Sequence, residues 1–255
     1  MNETAAGERP KVWIGSKRLV FRGVLPNLLD WHRHPFHCVL LAAERPFEVE
    51  LGDGTHACRA LLVPGGQAHC LRFDGHDMLS MYIPPHDDGF ASLAASARGH
   101  ERGAITEWSE QWWLALRQWN TELDPGPLND AIRRTWASGS TSLDARVRSL
   151  THELARGRCL GDSPKTLASA VGLSASRLAH LVKEHTGSSI GEVQRAYKFT
   201  AAARSMVTAK SFTRAAHAAE FADSAHFSRS FRAAYGLAPS RILARTTRWT
   251  LHDRL

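Results

Sequence analysis

The chain has 255 residues, 43% of them hydrophobic, which suits one large or two medium domains with packed cores. Its net charge of +7 is one-sided: residues 1–140 carry 14 Lys+Arg against 17 Asp+Glu, a net of −3, and residues 141–255 carry 18 against 8, a net of +10. Four cysteines without CxxC spacing argue against structural zinc and a secreted disulfide framework. The polar N-terminal stretch lacks a signal core, and the longest purely apolar run, residues 38–43, falls far short of the roughly 18 residues of a membrane helix. A cytoplasmic protein with no membrane partner is expected.

Residues 12–25 are rich in β-branched and aromatic side chains, with Gly15-Ser16 as a turn signal. Residues 36–43 form an apolar run. Residues 47–51 alternate Phe-Glu-Val-Glu-Leu, the pattern of a strand with one wet face. Gly52-Asp53-Gly54 predicts a hairpin turn, and Pro64-Gly65-Gly66 stops the strand of residues 59–63. Strands at 69–73 and 78–83 follow. Short strands at this spacing predict a sandwich or barrel.

His32 and His34 lie two apart, which on a strand turns both side chains to one face, and His69 could join them. Three readings stand: a metal site, the polar lining of a small-molecule pocket, or histidines at strand ends and surfaces. The set resembles the metal motif of cupin enzymes. That motif wants a glutamate soon after the pair, and Glu44 lies too far on.

Trp108, Trp112, Leu116, Trp119 and Leu123 recur at helical spacing within a helical segment at residues 104–136. That face either packs on the barrel or pairs with its copy in a second subunit. Residues 138–142 are small and polar and serve as the expected linker. The first domain is therefore placed at residues 1–137 and the second at 143–255.

Two stretches, about 163–187 and 213–236, resemble each other when Gly187 is aligned with Gly236. Each reads short helix, tight turn, helix, glycine stop: a helix-turn-helix, which places its second helix in the DNA major groove. Ser163-Pro164 and Ser174 are expected helix starts in the first copy, and Asp223 or Ser224 in the second. The 18 residues from Ile190 to Val207 would span about 27 Å as a helix, a plausible spacer between groove faces about 34 Å apart.

The elements Ala168, Gly172-Leu173-Ser174, Arg177-Leu178, Lys183 and Gly187 carry a family resemblance. So do Phe221, Ser224, His226-Phe227-Ser228-Arg229, Phe231-Arg232, Tyr235-Gly236 and Pro239-Ser240. This stretch resembles the DNA-binding domain of AraC/XylS bacterial transcription regulators. The N-terminal half, on His32, His34 and LLVPGGQAH, is similar to the cupin-like sensory barrel of the same family. The resemblance implies an α+β protein of two domains, a cupin-like β-barrel followed by helices and an all-α domain with two helix-turn-helix motifs. It implies a non-enzymatic regulator without a cofactor. Its partners would be double-stranded DNA, a small-molecule effector bound near His32, His34 and His69, RNA polymerase, and a second copy of the chain. Two alternatives remain open: a metal-dependent cupin-type enzyme, or a protein-interaction barrel, on a DNA-binding tail. Glu220 stands where the family usually has glycine. Glutamate resists a left-handed backbone, so a distorted or different turn is expected there.

With Leu178, Leu181 and Val182 holding the first recognition helix, Ser176, Arg177 and His180 are left to face the bases. With Phe227 and Phe231 holding the second, Ala225, His226, Ser228 and Arg229 are left. Phosphate contacts are expected from Lys165, Ser174, Lys183, Ser224 and Arg232. Lys198 and Arg204 either add to the positive field or act as ordinary helix-surface charges.

Overall fold

The computed structural model describes residues 10–24, 27–42, 45–73, 75, 77–91, 93, 142–209, 211–242 and 247–251. The tryptophan stripe, Glu44 and nearly all of the expected linker lie outside the described residues.

The N-terminal half is built from β1 (Lys11–Ile14), β2 (Leu19–Val24), β3 (Leu28–His32), β4 (His37–Ala42), β5 (Phe47–Leu51), β6 (Gly54–Cys58), β7 (Ala60–Val63), β8 (His69–Arg72) and β9 (Asp77–Ile83). The turn signals fall where the chain reverses. Gly15-Ser16 sits between β1 and β2, and Gly52-Asp53 is the two-residue loop of the β5–β6 hairpin, where Leu51 pairs with Gly54. The strands form a six-stranded sheet, β10-β1-β2-β9-β4-β7, and a four-stranded sheet, β3-β8-β5-β6. The two sheets share a core that includes Phe21, Leu40, Phe47, Leu71 and Phe73 without closing into one continuous barrel. β4 is buried along its whole length, so it reads as an unbroken apolar run rather than an alternating one.

The C-terminal half is helical: α1 (Ala145–Ala155), α2 (Pro164–Ala170), α3 (Ala175–Thr186), α4 (Ile190–Ala209), α5 (Phe212–Ala218), α6 (Ser224–Tyr235) and α7 (Pro239–Ile242). The starts are capped as the sequence predicts. Ser163 Oγ accepts from the Thr166 N–H at 3.1 Å, Ser174 Oγ from Arg177 at 3.2 Å, and Asp223 Oδ1 from His226 at 2.6 Å. At α4, Ser189 and Glu192 cap reciprocally: the Ser189 N–H donates to Glu192 Oε2 and the Glu192 N–H to Ser189 Oγ. α3 and α6 both end on left-handed glycines, Gly187 (φ +69°) and Gly236 (φ +72°).

α4 has 20 residues and spans about 30 Å. Its first part, with Val193, Ala196 and Tyr197, joins the core of α1, α2 and α3. Its second part, with Phe199, Ala202 and Met206, joins the core of α5 and α6. One helix therefore fixes the mutual placement of the two helix-turn-helix units.

β10 (Arg248–Leu251) returns from the helical half to pair in parallel with β1, Lys11 opposite Arg248 through Ile14 opposite Leu251. Nothing in the sequence reading anticipated it. Four residues of mixed polarity carry no periodic signal, and the partner strand lies more than 230 positions away.

The turn at Glu220 differs from its counterpart in a definable way. Glu220 takes the left-handed conformation itself (φ +58°), as Gly172 does in the first copy (φ +69°). The second turn then holds one more residue before its cap: Ser174 follows Gly172 by two positions, and Asp223 follows Glu220 by three. Lys198 Nζ donates to the Glu220 carbonyl at 2.9 Å and lies over the Phe221 ring, which holds the turn from α4. A side chain in this region costs about 1 kcal/mol or more relative to glycine. Glu220→Gly should therefore raise unfolding stability by about 1 kcal/mol in urea titration, with an unchanged denaturant slope.

Candidate nucleic-acid interface and sensory cavity

The recognition helices divide by face as their sequences predict. On α3, Leu178, Leu181 and Val182 are buried, while Ser176, Arg177 and His180 are exposed. On α6, Phe227 and Phe231 are buried, Ala225, His226 and Arg229 are exposed, and Ser228 is half-buried. Three of these side chains already have a neighbour. His180 Nε2 lies 3.9 Å from Glu184, Ser228 Oγ donates to the Ser224 carbonyl at 2.8 Å, and the His226 ring stands edge-on to Phe221.

The residues expected on phosphates fall into two groups. Lys165, Ser174 and Ser224 are exposed at or near helix starts. Lys183 and Arg232 are exposed but occupied within the protein: Lys183 Nζ donates to the Gly187 carbonyl at 2.6 Å, and Arg232 pairs with Asp30 of β3 at 2.6 Å. Lys198 is held on the Glu220 turn. Arg204 donates to the Ala155 carbonyl at 3.1 Å and the Gly15 carbonyl at 2.9 Å, which joins α1, α4 and the β1–β2 turn.

The glycine stops of both recognition helices are seated on the N-terminal half. At Gly187 a Cβ would collide with the carbonyl of Gly65, and at Gly66 one would collide with the carbonyl of Gly187. At Gly236 a Cβ would lie 2.6 Å from the Asp30 carbonyl oxygen and 2.6 Å from His32 Nδ1. The Asp30 N–H donates to the Gly236 carbonyl at 3.0 Å, and Arg33 pairs with Glu192 of α4 at 2.8 Å. In the sequence the PGG turn signals a strand stop and part of the barrel resemblance, not a seat for a helix end. Its second role was invisible without the fold.

Behind these contacts lies a cavity of about 850 Å³, counting its mouth. The sheets contribute mostly apolar side chains, among them Val12, Phe21, Leu40 and Leu71. The helical half contributes Phe199, Ala202, Ala203 and Met206 of α4 and Phe227, Phe231 and Tyr235 of α6. His32, His34 and His69 line the same cavity and are all buried. β3 ends at His32, so His34 lies past the strand, not two places along it. The rings still meet, with centroids 4.1 Å apart for His32–His69 and 5.5 Å for His34–His69. Burial lowers the pKa of all three, that of His69 to about 3, so the rings are neutral near pH 7. Tyr82 and Tyr235 pack around His34, and burial raises both phenols above their ordinary range. The sequence reading missed these two tyrosines, because only the fold brings β9 and the end of α6 to the histidines.

Residues 167–245 match the family model described as a helix-turn-helix domain. No curated protein sequence matches the chain. Among solved structures, an apo, singly substituted ToxT from Vibrio cholerae is similar over 91% of this chain and 98% of its own, with a TM-score of 0.61 at 11% identity. Wild-type ToxT from Vibrio cholerae bound to an unsaturated fatty acid is similar over 91% and 97%, with a TM-score of 0.58 at 12% identity. ToxT bound to (E)-4-(8-methylnaphthalen-1-yl)but-3-enoic acid has a TM-score of 0.58 at 11% identity, over 91% of this chain and 99% of its own. At such identity the likeness establishes the fold.

The seat of α6 gives a direct prediction. Gly236→Ala combines a strained φ with a clash against β3 backbone, so it should destabilise the protein by about 2 kcal/mol or more in urea unfolding. Gly157→Ala has a similar φ (+76°) and open space around it, and should cost only about 1 kcal/mol. Residues 167–245 thus carry a helix-turn-helix domain, and the whole chain shares the two-domain fold of ToxT, strand-rich in its first half and helical in its second.

Proposed function

We propose that this chain is a transcription regulator of the AraC type, which reads a bipartite DNA site with both recognition helices and is controlled by a small apolar acid held in the cavity. Ser176, Arg177 and His180 read one box, and Ala225, His226, Ser228 and Arg229 the other. Lys165, Ser174, Lys183, Ser224 and Arg232 position the protein on phosphates. The observation that carries the reading is that Phe227, Phe231 and Tyr235, on the inward face of α6, also line the cavity. An occupant therefore touches the helix that faces the DNA. The ligand class rests on the apolar lining and on the carboxylic acids named with ToxT. His32, His34 and His69 serve ligand binding here, not catalysis. The protein works in the cytoplasm, where its DNA lies; among the described residues no helix is long and apolar enough to cross a membrane. A homodimer and a contact with RNA polymerase complete the reading.

Selection of bound sequences from random DNA by the full chain tests the first part. The expected result is two short boxes about one helical turn apart. A single box would remove one recognition helix from the assignment. Arg177→Ala should cost about 1–3 kcal/mol at one base position and relax choice there. Lys165→Ala should weaken all sequences alike and lower the salt slope by about 1. Equal losses on specific and random DNA for Arg177→Ala would reassign it to phosphate. For the cavity, Ala203→Trp fills the space beside α4 and should abolish binding of an unsaturated fatty acid, measured by calorimetry, while a folded thermal transition is kept.

A further inference from the structure

The histidine cluster has a feature that ligand lining does not require. Each Nδ1 faces a backbone carbonyl: His32 meets Asp30 at 2.7 Å, His34 meets Phe36 at 2.7 Å, and His69 meets Gln67 at 3.0 Å. A carbonyl only accepts, so each Nδ1 must carry the proton. The neutral ring then presents a bare lone pair on Nε2. This is the outer hydrogen bond that orients a metal-ligating histidine and fixes its tautomer. Three such rings converge, with one ligand nitrogen from each within 4.8 Å of the others. Among the described residues none donates a hydrogen bond to these nitrogens. Tyr82, whose ring stands edge-on to His34, has its hydroxyl bonded to the Cys38 thiol. Three buried acceptors facing one another without a donor repel and are costly to leave unmatched.

A cation resolves this, and the donor set says which kind. Three neutral imidazoles suit zinc and its neighbours in the first transition row and do not suit calcium or magnesium. Tetrahedral Zn–N bonds of about 2.0–2.1 Å put the nitrogens about 3.4 Å apart, so modest ring movements close the site. The three residues come from the end of β3, the segment just beyond it, and the start of β8. β3 and β8 pair with His32 directly opposite His69. All three histidines line the cavity, so a fourth ligand would come from solvent or from the cavity's occupant.

We propose that His32, His34 and His69 form a binding site for a divalent transition metal of the zinc type, open on its fourth side to the apolar cavity. The site sits against the end of the second recognition helix, through Gly236 on Asp30 and His32 and through Tyr235 on His34.

The test uses the full chain with no affinity tag, stripped by chelator and titrated with Co²⁺ and then Zn²⁺. The expected result is one Co²⁺ per chain, with the strong visible absorption of tetrahedral cobalt, displaced by Zn²⁺. His69→Ala and His34→Ala should lower the affinity at least 100-fold, and His217→Ala, on the exposed face of α5, should not change it. Wild-type protein without uptake, or equal uptake by His69→Ala, overturns the proposal. Should the alanine variants fail to fold, X-ray absorption of zinc-loaded wild-type protein decides. Three imidazole nitrogens at about 2.0 Å support the site, and fewer than three overturn it.

Discussion

Two backbone contacts set how the halves of this protein meet. Each recognition helix ends on a left-handed glycine, and each glycine is pressed against backbone of the N-terminal half: Gly187 on Gly65-Gly66, and Gly236 on Asp30, with the His32 ring beside it. A helix stop needs glycine only for its φ. Here the lack of a Cβ serves twice, since it also admits a neighbouring chain at a distance no side chain would allow. Because these contacts are largely backbone on backbone, they hold each helix end more rigidly than contacts through flexible side chains would.

The rest of the interdomain packing follows from those two seats. α4 belongs to both helical cores, so seating α3 and α6 also aligns α4 along the cavity, where Ala202 and Ala203 leave room that larger residues would fill. Arg204 stitches α4 to the β1–β2 turn. His86 meets the Tyr197 hydroxyl at 2.8 Å from the other side. β10 closes the circuit by carrying the end of the helical half back onto β1. Much of the cavity wall therefore exists only because the two halves are docked. An occupant would therefore touch both halves at once, which is what the proposed control of DNA binding requires.

The sequence made the helical half legible almost residue by residue. Ser163, Ser174, Gly187 and Gly236 are local signals, and local hydrogen bonds are what they encode. The buried and exposed faces of α3 and α6 follow from helical period alone. The strands were readable where turns flank them, and less so where both faces are covered. β3 and β6 were not foreseen: Leu28–His32 is short and irregularly buried, and Gly54–Cys58 is mostly wet. β10, Tyr82 and Tyr235 depend on contacts across most of the chain, which no window of sequence contains. The histidines were a halfway case. Their grouping could be suspected from spacing, but His34 reaches the cluster from beyond the strand, so the geometric reason was different from the one the spacing offered. Glu220 shows the converse: a residue that seemed to forbid a conformation adopts it, with one added residue and a lysine bond to absorb the strain.

The charges at the seam differ in kind from the glycine seats. Arg232–Asp30 and Arg33–Glu192 are short, the first pair exposed on both sides (64% and 48%) and the second exposed at the arginine (54%) and half-buried at the glutamate (20%). Exposed pairs of this sort are worth about 0–1 kcal/mol, and salt screens them. They bias the docking without fixing it. On the proposed reading Arg232 has a second suitor, a DNA phosphate, whose bond is of the same kind and better supported by the field of the basic half. DNA binding and sensory-domain docking would then compete for one guanidinium. The glycine seats and the cavity wall must carry the selectivity of the docked state, because the ion pairs are too weak to do so.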